Sequence, residues 1–164
     1  MEKAKKKKWM IIAIIILILI GIDQITKVTC YANQNIIPNM IKFTAIENKG
    51  GAFGVGQNST FSFIVTNIVV IGIILRFMIT QQEQIDKKTY IALCLIIAGG
   101  LSNLIDRVIR GYVVDFIDIS LVIPSFPVFN IADIYIFIGW ILLAACFAFF
   151  TYHATKGTKK KEIE

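Results

Sequence analysis

The stretch WMIIAIIILILIGI, residues 9–22, decides the fold of this chain because it is apolar without interruption. A helix needs about 20 predominantly apolar residues to cross the roughly 30 Å hydrocarbon core of a bilayer. This stretch reaches that length when it is extended to Val28, and three later stretches reach it as well. The predicted spans are residues 9–28, 61–79, 90–109 and 131–152. The sequence therefore predicts an all-α membrane protein, a four-transmembrane-helix bundle that forms a single integral membrane domain over residues 1–164.

The composition agrees with a membrane protein and excludes several other classes. The chain is 56% hydrophobic and 17% charged, with a mean hydropathy of +0.71, whereas soluble proteins carry roughly 25% charged residues. Its three cysteines form no C-x-x-C pair, and its one histidine, His153, lies beside a lysine-rich tail. A disulfide scaffold is therefore not expected, and we predict no metal and no cofactor. The net charge of +6 does not indicate nucleic acid, because the basic residues lie at the ends of the spans.

Lysine and arginine residues are concentrated on one predicted side of the bundle. Residues 3–8, 76–88 and 156–161 together hold twelve of the seventeen. Because cytoplasmic segments carry the excess of Lys and Arg, both termini are predicted to be cytoplasmic. The segments of about 29–60 and 110–130 are predicted to be extracytoplasmic. No small-x-small cleavage site follows the first span, so we expect it to be retained rather than removed as a signal peptide.

The two extracytoplasmic segments show patterns of local structure. Within residues 36–56, the partial alternation at Ile41–Ile46 predicts one or two short strands, followed by a glycine-rich turn. The glycines are Gly50, Gly51, Gly54 and Gly56. The segment Asp115–Ile123 is predicted to be a short amphipathic helix at the membrane interface, ended by Pro124 and Pro127.

Polar side chains recur at helical spacing near the outer ends of three predicted spans. They are Asp23 and Lys27 on the first, Asn103, Asp106 and Arg107 on the third, and Asn130 and Asp133 on the fourth. Ionisable groups inside a membrane are costly, so each is a functional candidate. Gly99 and Gly100 remove side-chain bulk one turn before Asn103, so another helix can pack closely there. The pairs Asp23–Lys27 and Asp106–Arg107 are equally consistent with salt bridges that only hold the bundle together.

Asp115 and Asp133 differ from the other acidic residues because neither has a cation at helical spacing and both lie among apolar residues. Two carboxylates brought together in an apolar setting cannot both ionise cheaply, so one keeps a proton. The charged member can then activate a water while the protonated member polarises a carbonyl, which is aspartic-protease chemistry. The alternative that the spacing leaves open is a structural role, with Asp133 capping the fourth span.

Five blocks in order along the chain resemble the bacterial lipoprotein signal peptidase family, also called signal peptidase II. They are DQITK at 23–27, NKGGAF at 48–53, GGLSNLIDR at 99–107, GYVVDF at 111–116 and FPVFNIAD at 126–133. The resemblance covers nearly the whole chain, and the combination is far more specific than any single block. One departure is Gly51, where the family more often has alanine or another small apolar residue.

The resemblance implies an intramembrane aspartic endopeptidase that cleaves prolipoproteins before a diacylglyceryl-modified cysteine, with Asp115 and Asp133 as the catalytic dyad. The residues implied to line the site and hold the substrate backbone or the dyad are Asn48, Asn103, Arg107 and Asn130. Those implied to support its architecture are Asp23, Lys27, Asp106 and Gly100. The family fold includes a small extracytoplasmic β-sheet and a short surface helix between the third and fourth spans. Phe53 and its neighbours are expected to cover the site and exclude water.

The same resemblance implies the partners and the location of the protein. The expected partners are diacylglyceryl-modified prolipoproteins and membrane lipids, with cyclic peptide antibiotics of the globomycin type as inhibitors and no nucleic acid. The protein is expected to be a monomer in the bacterial cytoplasmic membrane, with its active site near the outer face.

Two other function classes fit carboxylates and an arginine inside spans. A small transporter needs polar residues at several depths, but the predicted inner halves are nearly bare apart from Arg76. A non-catalytic assembly subunit would use the polar faces only to hold helices together. Replacing each aspartate of the pair separately distinguishes these classes, because only a peptidase loses cleavage while it still folds and inserts.

Overall fold

Four long helices and three short strands make up the protein. The computed structural model describes residues 2–30, 34–51, 56 and 59–161. In chain order the elements are α1 (Glu2–Thr29), β1 (Gln34–Ile37), β2 (Ile41–Asn48), α2 (Thr60–Thr80), α3 (Lys87–Arg110), β3 (Val113–Asp118) and α4 (Ile131–Lys161). All four helices are long and apolar enough to cross a membrane, with the fourth candidate span ending at Tyr152. The predicted four-span architecture is therefore confirmed, and α1 and α4 continue beyond their predicted spans into the lysine-rich tails.

Helix α3 lies at the centre of the bundle and packs against each of the other three helices. Most of its central residues are buried, whereas α1, α2 and α4 leave large apolar side chains exposed along their outer faces. That distribution suits helices whose outer faces are solvated by lipid rather than by water. The buried apolar core joins α1, α2 and α3 through residues such as Ile16, Ile74, Met78 and Ile97.

Helices α3 and α4 approach each other closely, and glycines make this approach possible. A Cβ placed on Gly99 would collide with the carbonyl oxygen of Ala132 and would lie 2.7 Å from Cγ1 of Ile136. A Cβ placed on Gly139 would lie 2.6 Å from Cγ1 of Ile96. Small residues at a helix interface let the two backbones approach closely. The expectation that Gly99 admits a neighbouring helix is therefore confirmed.

The three strands form one antiparallel sheet in the order β1-β2-β3. Strands β1 and β2 form a hairpin, and β2 pairs with β3 so that Ile46 lies opposite Asp115 and Asn48 lies opposite Val113. Helix α3 ends at Gly111, whose φ of 80° is a left-handed conformation that glycine adopts without strain. The turn directs the chain straight from α3 into β3, which brings the C-terminal end of that helix next to the sheet.

The predicted interfacial helix at Asp115–Ile123 is wrong. Residues up to Asp118 belong to β3, and a turn follows, in which the N–H of Val122 donates to the carbonyl of Ile119. The backbone N–H groups of Phe116 and Ile117 both donate to the carbonyl of Phe129, while β2 occupies the other edge of the strand. Because these partners satisfy the backbone of β3, a helix has no advantage there.

The glycine-rich turn after β2 is described only in part. Gly50 and Gly51 lie in a bend that follows the strand, and Gly56 has a φ of 67°. The expected cover residue Phe53 and the glycine Gly54 lie outside the described residues. The prediction of one or two short strands in this segment is confirmed by β1 and β2.

Candidate active site

Asp115 and Asp133, here called the carboxylate pair, come from different elements and face one cavity. Asp115 lies in the buried strand β3 and is 2% exposed, whereas Asp133 lies in the first turn of α4. Both line a cavity of about 630 Å³. The sheet pairing and the start of α4 therefore bring together two acids that are distant along the chain.

The start of α4 is a reciprocal cap made by Asn130 and Asp133. The backbone N–H of Asp133 donates to Oδ1 of Asn130 at 2.9 Å, and the backbone N–H of Asn130 donates to Oδ2 of Asp133 at 3.2 Å. This arrangement has the geometry of a capping box, which satisfies two N–H groups that a helix start leaves unpaired. The cap residue is thus Asn130, and Asp133 supports it from the third helical position. Asp133 therefore takes part in the cap, as the alternative interpretation expected, through its backbone N–H and Oδ2. Its other oxygen, Oδ1, is available to bind other groups.

Two asparagines hold Asp115. Nδ2 of Asn130 donates to Oδ1 of Asp115 at 2.6 Å, and Nδ2 of Asn48, at the end of β2, donates to Oδ2 at 2.8 Å. Asn48 is itself fixed, because its Oδ1 accepts the backbone N–H of Gly50 at 2.9 Å. Asn130 therefore contacts both members of the carboxylate pair and sets their relative placement.

A cluster of three charged side chains lies behind the pair, and we call Asp23, Lys27 and Asp106 the ionic cluster. Nζ of Lys27 lies 2.7 Å from Oδ2 of Asp23 and 2.8 Å from Oδ2 of Asp106, and all three side chains are essentially buried. A buried ion pair persists only where further hydrogen bonds satisfy the remaining atoms. Oδ1 of Asp23 accepts the backbone N–H of Ala132 at 2.8 Å, so the cluster also fixes the start of α4.

The predicted alternative pairing of Asp106 with Arg107 is wrong. Asp106 pairs instead with Lys27 and, at 2.6 Å, with NH1 of Arg110 one turn later. Arg107 points the other way, because its side chain donates to the carbonyls of Asn103 and Gly50 at 3.3 and 3.0 Å. Its Nε is buried and unpaired among the described residues. The guanidinium of Arg107 therefore lines the cavity rather than closing an ion pair.

Asn103 joins the ionic cluster to the carboxylate pair. Its Oδ1 accepts from Nζ of Lys27 at 2.8 Å and from Nδ2 of Asn130 at 3.2 Å, and its Nδ2 donates to Oδ1 of Asp133 at 2.8 Å. A single buried network thus runs from α1 through α3 to the first turn of α4. Networks of this kind specify one arrangement when every member is satisfied.

The cavity has a polar end and an apolar end. Its polar lining consists of Asn48, Asn103, Arg107, Asp115 and Asp133. Its apolar lining consists of Ile119, Phe126, Phe129, Ile136, Phe137 and Trp140, with their neighbours. Ligand cavities commonly combine a mostly apolar wall with a few convergent polar groups. This cavity fits a ligand that presents polar and apolar groups together.

The environment of Asp115 favours its protonated form. Burial, followed by the neighbouring carboxylate of Asp133, raises the pKa of Asp115 from its ordinary value of 3.8 to about 7. Hydrogen bonds from Asn48 and Asn130 and the charge of Lys27 act in the opposite direction but do not cancel the shift. A carboxyl group with such a pKa holds a proton for much of the time near neutral pH.

Asp118, three residues later on the same strand, behaves in the opposite way. Burial alone would raise its pKa, but hydrogen bonds from Ser120 and the ammonium of Lys42, 3.1 Å away, hold the pKa below its usual value. Asp118 is absent from the cavity lining. The shift at Asp115 therefore arises from its burial and from the neighbouring Asp133, and not from its position in the strand alone.

The structure brings nearly all of the predicted site residues together, and Gly100 is the exception. A Cβ at Gly100 would face Oδ1 of Asn67 on α2 at 3.2 Å, away from the cavity. Besides Arg110, two further members of the network had not been predicted. Oγ of Ser102 donates to Asp23 at 2.6 Å, and Nε2 of Gln24 donates to Asp106 at 3.0 Å. Each is adjacent in sequence to a predicted residue, which is the signal that would have indicated them.

Among the described residues, no group of three His, Cys, Asp or Glu side chains is arranged to hold a metal ion. The donors that line the cavity are amides, carboxylates and a guanidinium. Such a set is suited to hydrogen bonding and proton transfer.

Comparisons with known proteins agree with this geometry. The family model described as "Signal peptidase (SPase) II" matches residues 15–149. The chain is 39% identical over 146 residues to a lipoprotein signal peptidase of Streptococcus pneumoniae (strain ATCC BAA-255 / R6), which covers 84% of this chain and 92% of that one. It is 36% identical over 147 residues to a lipoprotein signal peptidase of Clostridioides difficile (strain 630), with coverage of 86% and 97%.

A solved structure described as "Bacterial membrane enzyme structure by the in meso method at 2.3 A resolution" is similar with a TM-score of 0.79 and 32% identity. The similarity covers 85% of this chain and 88% of the solved one. Because both fold and sequence match over most of the chain, the protein is a peptidase rather than a transporter or a non-catalytic assembly subunit. The chain therefore belongs to the signal peptidase II family, whose members are membrane aspartic proteases that remove signal peptides from prolipoproteins.

Proposed function

We propose that Asp115 and Asp133 are the catalytic residues with which this protease cleaves prolipoproteins before a diacylglyceryl-modified cysteine. The observation that carries the proposal is that both carboxylates line one cavity and are bridged by Asn130. Two acids held in this way in an apolar setting share one proton and titrate as a unit. The two carboxyl groups share one proton as a unit, and we assign that proton in the resting pair to Asp115, whose pKa is raised to about 7.

In the proposed reaction, the ionised Asp133 accepts a proton from a water, and the water oxygen attacks the scissile carbonyl carbon. The proton on Asp115 passes to the carbonyl oxygen, which gives a neutral gem-diol. Collapse of the diol breaks the C–N bond as the proton on Asp133 passes to the leaving amine and a diol hydroxyl gives its proton to Asp115, which restores the resting pair. General acid–base catalysis of this kind needs two carboxyl groups in opposite protonation states, which unequal environments provide.

Other polar residues of the site hold the substrate or the pair, and of these Asn130 lies behind the cavity lining. Asn48, Asn103 and Asn130 donate hydrogen bonds to the two carboxylates. Arg107 is proposed to bind a backbone carbonyl of the peptide, because its guanidinium lines the cavity and its Nε is unpaired. A cationic donor at this position orients the peptide, since a charge-assisted hydrogen bond is stronger than a neutral one.

The ionic cluster of Asp23, Lys27 and Asp106 supports the architecture of the proposed site. It connects α1, α3 and, through the Ala132 N–H, the start of α4. Gly100 contributes at a distance, since its carbonyl accepts from Nδ2 of Asn67 at 3.3 Å and holds α2 against α3.

The apolar end of the cavity is proposed to accept the acyl chains of the modified cysteine. A substrate that keeps its lipid in the bilayer must be cut beside apolar protein surface, because removing the lipid from the membrane costs about 0.8 kcal/mol per CH₂. Cyclic peptide antibiotics of the globomycin type would bind in the same cavity as inhibitors. We also propose that the protein functions as a monomer surrounded by membrane lipids.

We propose that both termini are cytoplasmic and that the site lies near the outer face of the bacterial cytoplasmic membrane. The N-terminal part of α1 and the connection between α2 and α3 lie together, since Lys5 pairs with Glu83 at 2.7 Å. This end carries basic residues, whereas the carboxylate pair belongs to the opposite end of the bundle. The positive-inside rule then assigns the lysine-rich end to the cytoplasm.

The test replaces Asp115 and Asp133 separately with asparagine in the full-length protein. Each variant is expected to insert and unfold at nearly the wild-type temperature but to leave a lipid-modified precursor uncut in a gel-mobility assay. Asp118→Asn is the matched control, because Asp118 is a buried acid of the same strand outside the cavity, and it should retain cleavage. Cleavage by both Asp115→Asn and Asp133→Asn would contradict the proposal.

A further inference from the structure

The ammonium of Lys27 uses all three of its protons, and one of its partners carries no charge. Its contacts are Oδ2 of Asp23 at 2.7 Å, Oδ2 of Asp106 at 2.8 Å and Oδ1 of Asn103 at 2.8 Å. A lysine ammonium has three donors and no acceptor, so this set is complete. The two carboxylates satisfy the charge of the buried lysine. The contact with the amide has a different consequence, which concerns the direction in which Asn103 faces.

An asparagine amide has an oxygen that accepts and a nitrogen that donates, and its neighbours decide which end faces which way. Only the oxygen of Asn103 can face an ammonium. Its Nδ2 therefore faces Oδ1 of Asp133, to which it donates at 2.8 Å. Turning the amide over would bring two N–H groups against the ammonium of Lys27 and an oxygen against the carboxylate of Asp133. Both contacts would be repulsive.

Asn130 is held in the same manner by a different donor. Its Oδ1 accepts the backbone N–H of Asp133 at 2.9 Å, which leaves Nδ2 to donate to Asp115 at 2.6 Å. Each member of the carboxylate pair therefore receives an N–H from an amide whose orientation another donor determines. For Asn130 that donor belongs to the backbone, whereas for Asn103 it is the side chain of Lys27.

We infer that Lys27 is a positioning residue of the peptidase, acting through the Asn103 amide to keep an N–H donor on Asp133. This inference rests on the proposed function, since it presumes that Asp133 is catalytic. It assigns to Lys27 a task beyond pairing with Asp23 and Asp106. The N–H from Asn103 holds Oδ1 of Asp133 in place while Oδ2 remains bound to the backbone of Asn130.

The charge of Lys27 has a separate effect, and the test must distinguish it from orientation. The charged side chains that face Asp115 are Asp133 on α4, Lys27 on α1 and Arg107 on α3. Among them, the charge of Lys27 lowers the pKa of Asp115. Any neutral substitute for Lys27 therefore moves the pH–rate profile to higher pH, whether or not it can still bind Asn103.

Lys27→Gln and Lys27→Met separate the two effects because both are uncharged and only glutamine retains an N–H donor for Asn103. Cleavage of a lipid-modified precursor is followed in detergent micelles, with kcat and KM measured at the optimum pH of each variant. Both profiles should shift to higher pH by the same amount. The kcat of Lys27→Met should fall about 100-fold, the loss typical of a misplacement of about 1 Å, and Lys27→Gln should retain at least about tenfold more activity than Lys27→Met. Equal kcat losses in the two variants would overturn the inference.

Asn103→Asp keeps the inference testable if Lys27→Met does not fold. Aspartate still accepts from Lys27 but has no N–H for Asp133 and adds a charge beside it, so kcat is measured at the variant's own optimum pH, where it should still fall about 100-fold. Wild-type kcat in that folded variant would overturn the inference. Asp115→Asn, assayed in parallel, separates this failure from failure of the proposed function. If Asp115→Asn is active, the catalytic assignment is contradicted. If Asp115→Asn is inactive while Lys27→Gln and Lys27→Met lose equal amounts of kcat, only the role of Lys27 is contradicted.

Discussion

Replacing Gly99 with alanine is expected to displace the first turn of α4 and to slow peptide cleavage. The added Cβ would collide with the carbonyl oxygen of Ala132, which belongs to the backbone and is followed directly by Asp133. It would also lie 2.7 Å from Cγ1 of Ile136. A side chain such as Ile136 can rotate away, but a carbonyl moves only with its helix. The substitution therefore acts on the position of Asp133 without touching it.

The size of the displacement follows from these contacts. Ordinary van der Waals contact begins at 3.4 Å, so even the contact with Ile136 is too short by 0.7 Å, and the carbonyl of Ala132 lies nearer still. A misplacement of about 1 Å costs about 100-fold in rate, so a shift of at least 0.7 Å, which the nearer carbonyl requires, corresponds to a loss of at least roughly 25-fold in kcat. Overpacking of a well-packed interface should also lower the free energy of unfolding by about 1–3 kcal/mol.

The assay measures kcat on a lipid-modified precursor together with the thermal midpoint of each variant. Gly139→Ala is the matched control, because its Cβ would lie 2.6 Å from Cγ1 of Ile96 in the same interface but farther along α4 from Asp133. It should lose stability with a smaller loss of kcat. Gly72→Ala, with nothing within 4 Å of the added Cβ, should change neither quantity appreciably. Equal kcat losses in Gly99→Ala and Gly139→Ala would refute the reasoning, since the effect would then follow stability alone.

Three further predictions concern other parts of the protein. Because the pKa of Asp115 is about 7 in the folded protein and 3.8 ordinarily, the folded state binds more protons between these values. The free energy of unfolding should therefore receive a contribution that falls as pH rises from about 4 to about 7, and Asp115→Asn should lack it in thermal unfolding at a series of pH values. Asp86 caps α3 by accepting the N–H of Thr89 at 2.9 Å, so Asp86→Ala should lower the free energy of unfolding by about 1 kcal/mol, whereas Asp86→Ser should retain most of it. Nζ of Lys8 lies 3.7 Å from the centre of the Tyr90 ring, so Tyr90→Leu should cost about 0.5–1 kcal/mol more than Tyr90→Phe in the same measurement.

The spans could be predicted from sequence because each requirement is local. A membrane helix needs a long apolar run, and the runs at 9–28 and 61–79 lie within α1 and α2. Hydropathy predicted the ends of the helices less accurately, because α1 begins at Glu2, within the lysine-rich tail. Lysine is a good helix former, so the helix continues from lipid into water, and hydropathy locates the edge of the span rather than the end of the helix.

The strand β3 could not be predicted, because its burial removes the pattern that identifies a strand. Val113, Val114, Asp115 and Phe116 are all buried on one strand, so apolar and polar residues do not alternate there. Its partners, β2 and Phe129, are distant in sequence and decide its structure through backbone hydrogen bonds. Neither pairing partner can be inferred from the pattern of residues 115–123 alone.

Most residues of the candidate site could be predicted, but the hydrogen bonds and ion pairs among them could not. Spacing placed Asp23 and Lys27 on one face of α1, and the structure pairs them at 2.7 Å. Spacing also suggested Arg107 as the partner of Asp106, whereas Lys27 from another helix takes that position. Pairing across helices depends on which helices pack together, and the packing of α1 against α3 places Lys27 beside Asp106.

The hydrogen bond from the N–H of Ala132 to Asp23 joins two residues that are synthesised far apart in time. While the nascent chain emerges, Asp23 and Lys27 enter the translocon long before Asn130 and Asp133 exist. The first span must therefore hold its polar groups beside water or the translocon wall until the fourth span arrives. Because the proposed catalytic pair includes Asp133 on α4, we expect proteolytic activity only after that last helix has been inserted.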